Sequence, residues 1–216
     1  DNPASLFVTP DHYVFRMLVS QGVALADLGI QRSDGAAVET DPVKIWKTFA
    51  SHYHLFRGTP SSLWLDHSFE YVFGIDEPLN ADTAMAYYDH IEAALAQDAF
   101  RPRALFDRFG VEVLATTESA LDPLTHHAAI RDSDWQGRVL TTYRPDAVVD
   151  PDFDGFADNL VAFGALTGED TSTWAGYLNA HRKRRAFFKT LGTTATDHGH
   201  PTANTLDLPK AEAEAL

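Results

Sequence analysis

The chain has 216 residues, 44% of them hydrophobic and 12% aromatic, enough to bury a sizeable core, which sets it apart from disordered segments. A formal charge of −14, from 17 basic against 31 acidic residues, argues against nucleic acid as a partner, and the absence of cysteine removes disulfides, thiolate metal sites and cysteine nucleophiles. No apolar run reaches the roughly 18 residues a membrane helix needs, and the start lacks both parts of a secretory signal, so the reading is a cytoplasmic chain with no membrane partner.

Both ends read as cut. The chain opens on an Asn-Pro loop without Met and closes on a helix-forming AEAEAL string with no stop signal. Pro10-Asp11 precedes a helix with Val14 and Leu18 on its apolar side, which Gly22 ends. A second helix is predicted from Asp41 to His52, with Pro42 in its first turn. Ser61 or Ser62 is expected to cap a third, whose Leu65, Phe69, Val72 and Phe73 share a face, and Asn80 to cap a fourth carrying Ala84, Tyr88, Ile91 and Leu95.

The pattern changes at Gly110, where the short apolar run 111–117 reads as a strand. A helix from Asp122-Pro123 to Arg131, a strand at 139–144, helices at 152–166 and 172–189, and a third strand at 192–198 follow. On the last helix Trp174, Tyr177, Leu178, His181, Arg185 and Phe188 are expected along one side. The basic run from Arg182 to Arg185 is expected on a solvated or carboxylate-paired surface. Strand and helix alternation at this spacing predicts an α/β fold with about three parallel strands joined by right-handed crossovers. Residues 1–109 are thus a mainly helical region and 110–216 a set of βα units.

Each predicted strand ends in polar chemistry: Thr116, Thr117 and Glu118, then Tyr143, Arg144 and Asp146, then Thr196, Asp197 and His198. A strand-end arginine can hold a carboxylate by two parallel hydrogen bonds, and an adjacent Asp and His can orient a proton or hold a metal. His52 and His54 have the H-x-H form of a zinc site but lie in a helical context, and His126 and His127 point about 100° apart on a helix, so neither pair reads as a metal site. His198 and His200 follow a strand and read either as a metal pair or with His198 as a substrate contact. By spacing alone, His12-Tyr13 is ambiguous, an aromatic core contact being the more common case for such a pair.

The strings PDHYVFRMLVSQGV, GTPSSLWLDHSFEYVFGI, TTESALDPLTHHAAI, YRPD and RRAFFKTLGTTATDHGHPT, in this order, closely resemble uronate (glucuronate) isomerases of the amidohydrolase superfamily over essentially the whole chain. The resemblance implies a partial, distorted (β/α)8 barrel of TIM type with a large helical insertion in the first half. It implies conversion of D-glucuronate to D-fructuronate and D-galacturonate to D-tagaturonate in hexuronate catabolism. On the same resemblance Tyr13 is the active-site tyrosine that moves protons between substrate oxygens, with His12 beside it a further candidate. Arg144 matches the arginine that contacts the sugar acid, and Asp197 and His198 match a motif at the end of the fourth barrel strand. Where family members carry T-T-D-D-P, Glu118-Ser119-Ala120 stands here. The family's divalent metal, zinc in this reading, is held by an H-x-H expected upstream of Asp1 and an Asp expected beyond Leu216. None of the residues present is therefore assigned to metal, and the isolated chain is expected to lack metal and activity. A homo-oligomer is compatible with this reading. The alternatives are a metal-dependent hydrolase on the same barrel and a non-catalytic truncated fragment.

Overall fold

The computed structural model describes residues 2–31, 33–199 and 206–213. His200 and Pro201, expected beside the third strand, and the closing residues 214–216 lie outside them. The chain divides into two compact units, Asp1–Leu105 and Phe106–Leu216.

The first unit is helical. Its opening is a short helix, α1 (Pro3–Phe7), where a loop was expected: Asn2 and Ser5 cap each other's backbone N–H reciprocally, with Pro3 in the first turn. Helix α2 (His12–Ser20) is capped by Asp11 and buries only Val14 and Leu18. Helix α3 (Pro42–Ser51) buries Ile45, Trp46, Phe49 and Ala50, an i, i+1, i+4, i+5 stripe. Helix α4 (Pro60–His67) starts earlier than expected, because Thr59 is its cap and Pro60 occupies the first turn, leaving Ser61 and Ser62 inside the helix. A π-helical turn, Ser68–Val72, continues it and buries Phe69. Asn80 accepts from the N–H groups of Asp82 and Thr83, so it shapes the turn before α5 (Ala84–Leu95) and does not cap the helix itself.

These helices converge on Trp46, Phe49, Phe56, Phe69 and Ile91, all essentially inaccessible, and Trp46 Nε1 donates to the Ala84 carbonyl at 2.8 Å. Each such side chain stabilises the unit by roughly 1.5–3 kcal/mol. Helix α6 (Pro102–Arg108) follows.

In the second unit, strands β1 (Leu114–Ser119) and β2 (Val139–Arg144) pair in parallel, from Leu114 opposite Val139 to Ser119 opposite Arg144. β1 begins three residues later than expected, because the Val111 N–H closes the end of α6 on Phe106 O. The crossover helix is α7 (Thr125–Arg131), followed by α8 (Phe156–Thr167) and α9 (Trp174–Thr190). A last short helix, α10, spans Lys210–Ala213. Tyr143, Val148, Phe163, Ala180 and Phe188 form the core between β2 and the helices.

Two expectations are corrected here. Among the described residues the third strand is a single parallel bridge, Tyr143 to Thr196. The neighbouring donors are taken elsewhere: Thr193 N–H by Phe188 O at the end of α9, His198 N–H by Asp197 Oδ1, and Gly199 N–H by Asp146 Oδ2. Secondly, the buried stripe of α9 is Gly176, Ala180, Arg184 and Phe188, while Trp174 and Arg185 are exposed. Glycine is required at 176 because a Cβ there would lie 1.9 Å from the Asp170 carbonyl oxygen. Of the basic run, expected on a solvated or carboxylate-paired surface, Arg184 instead lies inward on this stripe, where it bonds the Ala120 and Asp122 carbonyls.

Candidate functional site

In a parallel pair both strands end on the same side, and successive side chains alternate between faces. Tyr143 therefore faces the helices while Arg144 faces the opposite side, level with Ser119. The bridge at Thr196 brings Asp197 and His198 to this same end.

Arg144 Nη2 donates to Asp197 Oδ2, and Arg144 Nε lies 3.6 Å from Asp146 Oδ2. Thr117 Oγ1 also reaches Asp197 Oδ2, at 3.4 Å. Asp197 Oδ1 accepts the His198 N–H at 2.9 Å, Asp146 Oδ2 accepts the Gly199 N–H at 2.7 Å, and His198 Nδ1 stands 3.5 Å from Asp146 Oδ1. One guanidinium is thus set between two carboxylates with an imidazole at the far side. The Arg144 side chain is 43% exposed and that of Asp146 only 14%. A guanidinium held in this way keeps N–H donors for an incoming carboxylate.

Arg144, Asp197 and His198 are therefore brought together. Tyr13 and His12 belong to the first unit, at the head of α2, where Asp11 Oδ1 accepts the Tyr13 and Val14 N–H groups. Tyr13 is 60% exposed and packs on the His12 ring at 4.2 Å, so the core contact read from spacing does not form. His52 Nδ1 bonds the Thr48 carbonyl one turn back at 2.8 Å, which spends it within its own helix. His127 reaches Thr116 Oγ1 at 2.8 Å and lies 3.7 Å from Glu118 Oε1, tying α7 to β1 on the helix side of the sheet. Glu118 thus stands on the face away from Arg144.

Asp146 is a strand-end residue that its sequence position alone does not mark as part of the site. Its signal was the Arg-Pro-Asp spacing, since Pro145 starts a 3-10 turn at Asp146–Val148 that folds the carboxylate back under the strand end. The helical periodicity shows His181 only as one residue of a helix face, whereas in the fold its Nδ1 meets the Tyr143 hydroxyl at 2.9 Å. No group of three or more metal-ligating side chains occurs among the described residues. Arg144 already supplies the positive charge between Asp146 and Asp197, so this cluster does not fit a metal ion.

The family model for glucuronate isomerase matches residues 1–216. The chain belongs to the glucuronate isomerase family. Among its relatives, the uronate isomerase of Mesorhizobium japonicum is 61% identical over 215 residues, which are 100% of this chain and 46% of that protein. The crystal structure of glucuronate isomerase from Caulobacter crescentus matches all of this chain with a TM-score of 0.93 at 53% identity and is covered to 45%. The uronate isomerase structure from Thermotoga maritima matches with a TM-score of 0.84 at 27% identity and is covered to 46%. The chain spans a little under half the length of these isomerases. Both likenesses extend over the helical first half as well as the βα units.

Proposed function

We propose that the complete protein carrying this chain is a uronate isomerase, converting D-glucuronate to D-fructuronate and D-galacturonate to D-tagaturonate in hexuronate catabolism. The observation that carries the reading is the gathering of Arg144, Asp197 and His198 at the common end of parallel strands, in a chain of the glucuronate isomerase family. The substrate carboxylate docks on the Arg144 fork, whose position Asp197 holds. The proton on C2 of the open-chain aldose leaves, an enediol forms, and a proton is delivered to C1 while the hydroxyl proton moves from O2 to O1. His198 is assigned to substrate contact with Asp197 orienting it. Tyr13, with His12 beside it, is assigned the hydroxyl protons on the resemblance alone.

Residues 110–216 are read as part of a distorted (β/α)8 barrel, and residues 1–109 as its helical insertion. Parallel sheets are ordinarily covered on both faces, whereas Ala115, Thr117 and Ser119 of β1 are exposed. Beside Tyr143, a cavity of about 550 Å³ lies against Phe188, Lys189 and Thr193–Thr196. Both features suit a sheet that continues. A divalent cation, zinc in this reading, belongs to the complete protein; the described residues do not fit it, and no step assigned to them runs through it. Cytoplasmic location and assembly into a homo-oligomer complete the proposal.

The test is turnover of D-glucuronate in D2O by the complete protein. Solvent deuterium at C1 of the ketose is expected; a hydrolysis product without exchange would instead indicate a hydrolase. Arg144→Met should lower kcat/KM by about 30- to 1,000-fold, the equivalent of roughly 2–4 kcal/mol of charge-assisted binding. Unchanged turnover in that variant removes Arg144 from the site.

A further inference from the structure

We infer that Asp146 is a positioning residue, which locks the Arg144 guanidinium to the Asp197–Gly199 turn so that the fork is preset for a sugar carboxylate. This rests on the uronate reading of Arg144 and adds a group that touches no substrate.

Pro145 ends the strand and starts the 3-10 turn Asp146–Val148, which brings the Asp146 carboxylate back toward the arginine two residues earlier. Its Oδ2 accepts the Gly199 N–H at 2.7 Å, a bond spanning 53 residues, and faces Arg144 Nε at 3.6 Å. Its other oxygen faces His198 Nδ1 at 3.5 Å. Asp197 grips the guanidinium at Nη2. Asp197 holds the fork by a hydrogen bond at Nη2 and Asp146 faces Nε at ion-pair distance, so the two carboxylates bias the plane of the guanidinium from different nitrogens.

Arg144 Nε and Asp146 Oδ1 are two of four buried side-chain polar atoms without a hydrogen-bond partner among the described residues. Under-satisfied polar atoms concentrate at sites where geometry tightens once a ligand is bound. The Gly199 bond holds Asp146 in place beside Nε, so a shift of the guanidinium toward it on carboxylate binding would complete that hydrogen bond.

The experiment compares Asp146→Ala, Asp146→Asn, Arg144→Met and the double variant Asp146→Ala with Arg144→Met in the complete protein. Steady-state kinetics on D-glucuronate are read together with hydrogen exchange at the Gly199 amide without substrate. Asp146→Ala should raise KM about tenfold with kcat within about threefold, and should speed Gly199 exchange at least about tenfold. Asp146→Asn, which keeps an acceptor and folds with the least disturbance, should recover most of the Gly199 protection and part of the KM. In the Arg144→Met background, Asp146→Ala should change KM no further, because it acts through that arginine. Full additivity in the double variant, a fall in kcat with KM unchanged, or unaltered Gly199 exchange in Asp146→Ala would each overturn the assignment. If Arg144→Met itself leaves KM unchanged, the uronate reading of Arg144 falls, and Asp146 is then judged on Gly199 exchange alone.

Discussion

Tyr143 and His181 meet between β2 and α9, hydroxyl oxygen to Nδ1, and the other imidazole nitrogen, Nε2, is buried without a hydrogen-bond partner among the described residues. Burial, and secondarily the charge of Arg185, pulls the His181 pKa down from 6.5 to about 4, while burial raises that of Tyr143. The folded state therefore holds His181 neutral at pH values where the unfolded chain would protonate it. Between about 6.5 and 4 unfolding takes up a proton, so this group's contribution is complete above 6.5 and is lost as the pH falls toward 4. Asp and Glu titrate in the same range, so a paired comparison isolates the histidine. The urea midpoint of His181→Gln should fall less steeply than that of the parent over this interval, and parallel curves would show that His181 does not titrate on unfolding.

At the scale of elements, Arg184 fastens α9 to the loop that follows β1. Its Nε donates to the Ala120 carbonyl at 2.8 Å and its Nη2 to the Asp122 carbonyl at 2.6 Å, with the guanidinium 4.5 Å from the centre of the Phe187 ring. That loop is unusual: Leu124 is buried with φ of 56°, a conformation that non-glycine residues rarely adopt, supported by its N–H bonding Asp122 Oδ1. Arg184→Met keeps the length of the side chain but strands two carbonyls, and should cost about 2–4 kcal/mol of unfolding free energy measured in urea. Arg182 donates to Asn179 on the exposed side of the same helix, and Arg182→Met should cost less than about 0.5 kcal/mol. Equal losses in the two variants would mean that the clamp is not where the stability lies.

At the scale of the whole molecule, a charge of −14 makes the chain repel itself and does not draw in an anionic sugar acid. Uronate recognition in the proposed site falls to local arginines, of which Arg144 is the one placed at the strand ends. Self-repulsion is a long-range term that salt screens within about 10 Å at 0.1 M. Raising NaCl from 10 to 150 mM should therefore increase the thermal midpoint, as scanning calorimetry would show. A midpoint that falls over that range would mean that favourable ion pairs, such as Lys183 with Glu169 at 2.6 Å, outweigh the net repulsion.

The sequence by itself determined most of the helices, the parallel pairing and the residues of β2, because apolar periodicity, turn chemistry and strand propensity act within a few neighbours along the chain; α1 and α6 were not legible in it. It also placed Arg144, Asp197 and His198 at strand ends, and its ordered motifs carried the family resemblance. Tertiary structure decided the rest. Whether the 192–198 run pairs as a strand depended on who takes its N–H groups: Phe188 of α9 takes that of Thr193 and the Asp197 side chain that of His198, leaving Asp197 N–H to bond β2 at Tyr143. Which basic residue of 182–185 turns inward depended on which face of α9 packs against the loop after β1, where the Ala120 and Asp122 carbonyls await a donor. The link from Asp146 to Gly199 crosses 53 residues, a distance over which local propensity carries no information, so only the folded chain could reveal it.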